Sequence, residues 1–409
     1  MKTSIDALLE ERGLQALVLA SRSFRDPSIA PLLGGGRVSY SLAVIAPGRP
    51  ARLGYISPME REEAKKSRLP LLTPEDLEVG RHSQLCTDPA DFWAAVIHRA
   101  LYLCELPPPG ALALAGSLPL GLAGSLCRQL EAEGWRVSAG EPLADRLRKA
   151  KTDHQLAAIR RAALGTMEAF REVAGRLARA TADTDGALVS DGEPCTVGSL
   201  RRLIARVLAD HQLEQPEGNI VAPAEEGAVA HSIGTDSRRL RAGESLVVDI
   251  FPRGDLFADC TRTFCVGPPG DGLARGYRRV RENLEAADAA AQAGVSGWTL
   301  QQQACAFFER AGEETPISHP GTQRGYVHGL GHGVGYEVHE LPSFREQATE
   351  SEGTLEAGDV ITLEPGLYRP DEGWAVRLED LYLVNDSGVE NLTPLPRDLD
   401  PRAWFDGPS

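Results

Sequence analysis

The sequence predicts a two-domain α+β protein, and three observations lead to that prediction. The chain has 409 residues, which is well above the ~150 residues of a typical single domain. Residues 1–147 alternate short apolar runs with helical patterns, which is typical of a small α/β domain. From residue 148 to residue 409, long helical patterns alternate with pairs of strand patterns, which indicates a second domain of α+β type.

The first domain is defined by apolar periodicity. Its predicted strands cover residues 14–19, 41–46 and 111–115, and its predicted helices cover residues 1–12, 91–103 and 118–133. The segment 1–12 carries three acidic residues within its apolar pattern, so we interpret it as an amphipathic helix and not as a signal peptide. Because no apolar run approaches the ~20 residues that span a bilayer, we expect a cytoplasmic protein.

The second domain begins with a long helix. Thr152 or Asp153 is a suitable N-cap for a helical pattern that continues to about residue 180. Further helices are predicted at 197–211, 272–293 and 299–310, and strands at 245–250, 256–265, 360–364 and 374–384.

Charge and cysteine content exclude several classes of partner and site. The formal net charge is −15, and phosphate backbones and anionic membranes repel such a chain, so we expect neither nucleic acid nor membrane as a partner. The seven cysteines are odd in number and none has C-x-x-C spacing, which argues against a disulfide framework or a thiolate zinc site.

Two aspartates of the second domain lie in strand patterns with apolar neighbours. Asp249 and Asp259 flank a turn at residues 253–255, and this arrangement predicts a hairpin. Burying an acid without a partner is costly. Either each aspartate has a cationic partner, or both hold a metal ion.

Three histidines lie in a glycine-rich segment at residues 328–340. His328, His332 and His339 recur at intervals of four and seven residues, and four glycines between 328 and 335 let the backbone pass close to a ligand or to another segment. One histidine is usually structural, but three within twelve residues indicate a functional site, because imidazole binds metals and transfers protons near neutral pH.

Two further acids follow. Glu364 ends a strand pattern that Pro365–Gly366 breaks. Arg377 and Glu379 are two residues apart and would share one face of a strand. A surface ion pair is the simpler interpretation of Arg377 and Glu379 alone.

Taken together, these acids favour a metal centre. Four carboxylates that converge without cations would repel one another, and two divalent ions would balance their charge. A set of oxygen ligands with one imidazole suits Mn²⁺, Co²⁺ or Zn²⁺. Two metals ~3.5–4 Å apart polarise a carbonyl and activate water, as aminopeptidases require.

Four regions carry these residues: the hairpin at 249–259, the histidine segment at 328–340, the strand end at 364–366 and the strand at 377–379. In this order they resemble the motifs of the pita-bread metallopeptidases, which include methionine aminopeptidase, aminopeptidase P and prolidase. The resemblance covers roughly residues 148–395 and implies a pita-bread catalytic domain. It implies five metal ligands, Asp249, Asp259, His332, Glu364 and Glu379, with Asp259 and Glu379 bridging the two ions. Residues 1–147 resemble the creatinase-type N-terminal domain of aminopeptidase P and prolidase, which methionine aminopeptidase lacks.

Further positions resemble the proline-specific branch, which comprises aminopeptidase P and Xaa-Pro dipeptidase, or prolidase. The resemblance implies that the catalytic residues are Glu364, His231, His328, His339 and Arg377. It also implies that the substrate is contacted by His231, His339 and Tyr368. A homodimer is implied in the same way, with the N-terminal domain of one chain at the edge of the other chain's site.

Two features depart from the family pattern. Asp249 and Asp259 are ten residues apart, where the family more often has eleven, and Phe251–Pro252 replaces small residues. A shorter hairpin turn absorbs this difference if both acids still face the same way.

The resemblance implies a peptidase with two divalent metal ions, Mn²⁺ first, with Co²⁺ or Zn²⁺ as alternatives. A metal-bridging hydroxide would attack the first peptide bond of a substrate with proline in the second position, and Glu364 would carry the proton. Cleavage of dipeptides only and cleavage of longer peptides both remain open. The alternatives are a metal-free creatinase-like hydrolase, which should lack several ligands, and a catalytically inactive binding module of the same fold.

Overall fold

A computed structural model describes residues 5–405. The chain divides into two compact units, Met1–Arg148 and Lys149–Ser409. Within the described range, no helix is both long enough and apolar enough to cross a membrane.

The first unit is built on one six-stranded mixed sheet with the strand order β4-β3-β2-β1-β5-β6. Its strands are β1 Ala16–Ser21, β2 Ser41–Ile45, β3 Arg52–Tyr55, β4 Leu71–Leu72, β5 Gly110–Ala115 and β6 Trp135–Ala139. Its helices are α1 Ile5–Glu11, α2 Arg61–Lys65, α3 Val79–Leu85, α4 Pro89–Leu103, α5 Leu120–Ala132 and α6 Glu141–Arg148.

Both faces of this sheet are buried. Val18 and its even-numbered neighbours in β1 pack in a core with α4 and α5, whereas Leu17 and Leu19 pack in a second core with residues of α1 and α6. Successive side chains of a strand point to opposite faces, so a strand covered on both faces is apolar throughout, as β1 is.

The second unit combines short antiparallel sheets with paired helices. Its strands are β7 Thr181–Ala182, β8 Leu188–Ser190, β9 Glu193–Pro194, β10 Ile220–Pro223, β11 Leu246–Ile250, β12 Cys260–Phe264, β13 Val360–Leu363, β14 Gly366–Arg369, β15 Trp374–Arg377, β16 Asp380–Asn385 and β17 Gly388–Asn391. Its helices are α7 Asp153–Ala178, α8 Val197–Asp210, α9 Ala224–Gly227, α10 Asp271–Ala290, α11 Gly297–Arg310 and α12 Glu350–Gly353.

Two sheets of the second unit carry most of the residues of interest, one with the order β10-β11-β12 and the other β13-β16-β17. Helices α7 and α8 pack with β11 and β12 in one core, and α10 and α11 pack with β13 and β15 in another. A bridge between Thr261 and Glu379 connects the two sheets. The carboxylates predicted to bind metal therefore lie in or directly beside strands of both sheets.

The predicted helices of the second domain are confirmed, and Thr152 is the N-cap of α7 in a capping box with Gln155. The single strand predicted at 374–384 is wrong, because β15 and β16 belong to different sheets. The chain changes partner at this point, where the Leu378 amide donates to Pro365 and the Glu379 amide donates to Thr261. Residues 1–4 of the predicted first helix lie outside the described range.

Candidate metal centre

The β11–β12 hairpin places Asp249 and Asp259 on one face. Asp249 is directly opposite Thr261, and Ile250 opposite Cys260 is the last pair before the turn. Since side chains alternate along a strand, Asp259, two residues before Thr261, points to the same side as Asp249. The ten-residue spacing therefore keeps both acids on one face, which we call the front face. Ile250 and Cys260 point to the other side, into the apolar core.

Arg377 reaches the front face from β15, and Glu379 reaches it from the position just before β16, which belongs to a different sheet. The Thr261 hydroxyl donates to Glu379 Oε2 at 2.7 Å and accepts from Arg377 Nε at 3.2 Å. Arg377 Nη2 donates to Asp249 Oδ2 at 2.6 Å. Although the strand is broken between them, Arg377 and Glu379 thus point the same way, and both are almost fully buried. The alternative of a surface ion pair is wrong for these two residues.

The glycine-rich segment can approach β13 and its own returning chain closely because its glycines have no side chains. A Cβ atom at Gly331 would lie 2.1 Å from the Thr362 carbonyl oxygen, and one at Gly333 would lie 2.0 Å from the Leu341 carbonyl oxygen. The Thr362 amide donates to the His332 carbonyl at 2.9 Å, and the Glu364 amide donates to the Leu330 carbonyl at 2.7 Å. These bonds fix His332 beside Glu364.

His332 presents a lone pair to the carboxylates. Its Nδ1 lies 3.1 Å from the Gly333 carbonyl, which can only accept, so Nδ1 carries the proton. The unprotonated Nε2 lies 3.5 Å from Glu364 Oε1 and 3.8 Å from Asp259 Oδ2. Burial, with the nearby charge of His339, lowers the pKa of His332 to about 3, so the ring is neutral at pH 7.

The carboxylates are held in a setting that disfavours their charge. Burial and the charges of Glu379, Asp249 and Glu364 raise the pKa of Asp259 well above its ordinary value. Burial and the charges of Glu364 and Asp249 do the same to the pKa of Glu379. Burial raises the pKa of Glu364 to about 8. Arg377 is the one guanidinium that contacts these acids among the described residues, and it contacts only Asp249.

These features fit a divalent metal centre. One donor atom each of Asp259, His332 and Glu379 lies within 4.8 Å of the others. Within the described part of the chain, the buried Oδ1 atoms of Asp249 and Asp259 have no hydrogen-bond partner. Carboxylate oxygens and a lone pair of imidazole that face one another need a cation between them, and this donor set suits Mn²⁺, Co²⁺ or Zn²⁺.

The other predicted residues differ in how closely they approach the centre. The neutral His328 ring lies with Nε2 3.1 Å from the Tyr368 hydroxyl, which accepts from Arg377 Nη1 at 2.8 Å. Burial lowers the pKa of His328 to about 3, and its Nδ1 lies 3.9 Å from Glu364 Oε2. Arg377, Tyr368 and His328 therefore form one hydrogen-bonded chain beside Glu364.

His339 and His231 are exposed at the edge of the centre. The His339 ring centroid lies 4.2 Å from that of His332. His231 follows Ala230, whose carbonyl accepts from Arg377 Nη1 at 3.4 Å. Burial and the charge of Arg377 lower the pKa of His328, and an electrostatic interaction with His231 contributes in the same direction.

Two supporting residues have no role in the sequence analysis. Thr261 connects Arg377 to Glu379, and Gln301 of α11 supports the histidine segment from behind, with Nε2 donating to the His328 carbonyl at 3.4 Å and Oε1 accepting from the Leu330 amide. Thr261 lies two residues after Asp259 in the sequence and could have been found from its parity with that residue. Gln301 has no signal, because its contacts are 27 and 29 residues away.

Comparisons with known proteins agree with this geometry. Residues 157–386 match the model of metallopeptidase family M24. The chain is 31% identical over 224 residues to Xaa-Pro dipeptidase from Pyrococcus furiosus, covering 53% of this chain and 60% of that protein. It is 32% identical over 224 residues to Xaa-Pro dipeptidase from Pyrococcus horikoshii, covering 53% and 59%. The chain thus spans about three fifths of the length of these curated relatives.

Solved structures share the fold over nearly the whole chain. The prolidase from Pyrococcus horikoshii has a TM-score of 0.72 at 22% identity and covers 97% of this chain and 98% of that one. The Xaa-Pro dipeptidase from Bacillus anthracis has a TM-score of 0.74 at 20% identity and covers 97% of each chain. The predicted fold, a pita-bread domain after a smaller N-terminal domain, is confirmed. The chain belongs to metallopeptidase family M24.

Proposed function

We propose that this protein is a dinuclear metallo-exopeptidase that hydrolyses the bond before proline in Xaa-Pro dipeptides and short peptides. The observation that carries the proposal is the convergence of buried carboxylates with a neutral histidine lone pair and too few cations. Membership of family M24 and the similarity to two Xaa-Pro dipeptidases support the substrate class.

Five residues would hold the two ions: Asp249, Asp259, His332, Glu364 and Glu379. When bound, the ions would polarise the scissile carbonyl and lower the pKa of a water molecule that they share. The retention of all five residues supports an enzyme over a metal-free creatinase-like hydrolase or an inactive binding module.

Glu364 is the residue that we assign to proton transfer. Its side chain is 18% exposed, whereas those of Asp249 and Asp259 are 11% and 5% exposed. A carboxylate that reaches both the centre and solvent can accept a proton from the attacking water and deliver it to the leaving proline nitrogen. His328 lies beside it and is oriented by Tyr368.

His231 and His339 are assigned to the substrate. Both rings are exposed, and His339 lies next to the ligand His332. Imidazole groups at this edge can donate to the carbonyl oxygen of the scissile bond and to the carboxylate of the proline residue. Tyr368 and Arg377 complete the substrate side of the centre in this proposal.

Cytoplasmic location and a homodimer are part of the proposal. The seven cysteines are free thiols, which agrees with a reducing compartment. Light scattering at micromolar concentration should give the mass of a dimer, and a monomeric mass would contradict this part.

The test is hydrolysis of matched peptides by protein that has been stripped with a chelator and reloaded with Mn²⁺, Co²⁺ or Zn²⁺. Ala-Pro should be cleaved, Ala-Ala should be cleaved far more slowly, and Ala-Pro-Ala should show whether longer peptides are accepted. Activity should disappear on chelation and return with metal. Equal rates on Ala-Pro and Ala-Ala would overturn the substrate assignment, and full activity of metal-free protein, verified by elemental analysis, would overturn the metal assignment.

A further inference from the structure

A buried ionic network lies directly behind the front face. Arg262 and Asp380 are both fully buried, and Arg262 Nη2 donates to Asp380 Oδ1 at 2.5 Å. Arg397 donates to Asp380 Oδ2 through Nε at 2.9 Å and through Nη2 at 2.7 Å. Arg397 Nη2 also donates to Asp288 Oδ2 at 2.8 Å. Two arginines and two aspartates give this network no net charge.

The network is the counterpart of the front-face contacts on the other side of the same strands. Thr261 and Glu379 meet on the front, and the next residues of the same two segments, Arg262 and Asp380, meet on the back. Because consecutive side chains of an extended segment point to opposite faces, whatever fixes Asp380 also fixes the direction of Glu379.

Arg262 also binds the peptide of the candidate ligand itself. Its Nη1 donates to the Glu379 carbonyl at 2.6 Å and to the Thr261 carbonyl at 3.0 Å. Its Nε donates to the Pro396 carbonyl at 3.0 Å, and Nη2 donates to the Leu395 carbonyl at 3.1 Å. One planar guanidinium thus joins β12, the start of β16 and the segment after β17, which a lysine with a single nitrogen could not do.

We propose that Arg262 and Asp380 are positioning residues that set the orientation of Glu379 for metal binding. This inference rests on the metal centre of the proposed function. A charged pair in this place is expensive to bury, and apolar residues of similar volume would fill a core at least as well. Apolar residues of one core cluster, among them Ile250 and Phe264, pack on the same face of the hairpin as Arg262. A fixed direction for the ligand accounts for the charges at this one point.

The experiment compares Mn²⁺ binding by Arg262→Lys and Asp380→Asn with binding by the intact protein, using titration calorimetry and elemental analysis. Loss of a group that orients a metal ligand typically lowers metal affinity ~10–100-fold, and we expect a loss in this range for both variants. Arg397→Lys keeps the Arg262–Asp380 contact and is the milder variant in case the first two do not fold; it should weaken Mn²⁺ binding in the same direction but less.

Asp359→Asn is the matched control. Asp359 and Lys149 form another fully buried ion pair, with Oδ2 and Nζ 2.8 Å apart, and the Asp359 side chain contacts no candidate ligand. This variant should lower the melting temperature as much as Asp380→Asn does, yet keep the Mn²⁺ affinity of the intact protein. Unchanged Mn²⁺ affinity in folded Arg262→Lys, Asp380→Asn or Arg397→Lys would overturn the positioning role and leave the proposed function standing. Failure of the intact protein to bind Mn²⁺, Co²⁺ and Zn²⁺ alike would overturn both.

Discussion

The two faces of the β11–β12 hairpin differ in whether their buried carboxylates have cationic partners within the chain. On the front face, among the described residues, one guanidinium, that of Arg377, stands against four carboxylates and contacts only Asp249; the other three are Asp259, Glu364 and Glu379. On the back face, two aspartates are matched by two arginines, and Asp380 raises the pKa of Arg262 above its ordinary value although burial opposes the charge.

This difference separates a structural network from a binding site. Buried charges in proteins are paired or coordinate metals. The back face satisfies the first condition within the chain itself. On the front face, most carboxylates have neither a cationic partner nor a metal ion until cations are added. The raised pKa values of Asp259, Glu364 and Glu379 reflect this excess of buried negative charge. Perturbed pKa values caused by burial together with like charges are a recognised mark of functional sites.

The largest effect is expected when a front-face carboxylate is neutralised. Asp259→Asn and Glu379→Gln should remove both ions or leave one loosely held, because each residue is expected to bridge. The fall in activity should exceed the ~10–100-fold cost of losing a supporting contact. In metal-free protein, the same variants should raise the free energy of unfolding, since one buried like charge is removed. Elemental analysis, turnover and urea unfolding would measure the three quantities.

Glu390→Gln is the control for these variants. Glu390 is an exposed carboxylate whose side chain pairs with Arg160 at 2.7 Å, and exposed pairs contribute only ~0–1 kcal/mol. It should keep both ions and nearly full activity. Metal-free Asp259→Asn that is less stable than the intact protein would contradict the view that the front face is short of cations.

The front face could be predicted from sequence because its residues occur in recognisable local patterns. Asp249 and Asp259 stand out as acids in apolar strands, and His332 stands out among glycines. Thr152 marks the start of α7 because capping depends only on neighbouring residues. The placement of both aspartates on one face follows from strand parity once the register is known.

The back face could not be predicted in this way. Arg262 looks like any arginine on a strand, and its partner Asp380 lies 118 residues further along the chain. The break between β15 and β16 is also invisible, because residues 374–384 form one continuous strand pattern and only pairing with different sheets divides it. Asp249 pairs with Arg377, which lies 128 residues away, so the sequence alone could not identify the cationic partner of Asp249.

The second prediction separates metal binding from chemistry among the front-face histidines. His332→Ala should lower metal content. His231, His328 and His339 are expected to hold the substrate or to shuttle protons, so their Ala variants should keep both ions but lose activity, by ~10²–10⁴-fold for a group in proton transfer. Metal stoichiometry and turnover on the same four variants would measure this.

His319→Ala supplies the control, because His319 is an exposed histidine of the same unit whose ring contacts Ser318. It should retain metal and turnover. If His328→Ala and His339→Ala keep near-normal turnover, their catalytic assignment is wrong and only the ligand set remains. A loss of only ~10–100-fold would indicate that these rings brace the centre through hydrogen bonds such as that between His328 and Tyr368.

The smallest effect concerns the stability of metal-free protein as a function of pH. Glu364 ordinarily titrates near 4.5, but in the folded chain its pKa is raised to about 8. The folded state therefore binds more protons than the unfolded state between these values, and stability falls as pH rises through this interval. His328 and His332 act in the opposite direction, since folding lowers their pKa values from 6.5 to about 3, and this effect fades as the pH rises above 6.5.

Between pH 6.5 and 8 the raised pKa values of the carboxylates outweigh the remaining titration of the histidines, so the free energy of unfolding of metal-free protein should decrease with pH in this window. With Mn²⁺ bound the decrease should vanish or reverse, because metals bind deprotonated ligands more tightly. Urea unfolding at fixed pH, with chelator or with Mn²⁺, would measure both slopes. Glu364→Gln should flatten the metal-free slope, whereas Glu390→Gln should leave it unchanged. A metal-free protein that becomes more stable from pH 6.5 to 8 would show that the front-face acids are already compensated within the chain, and the contrast between the two faces would then be lost.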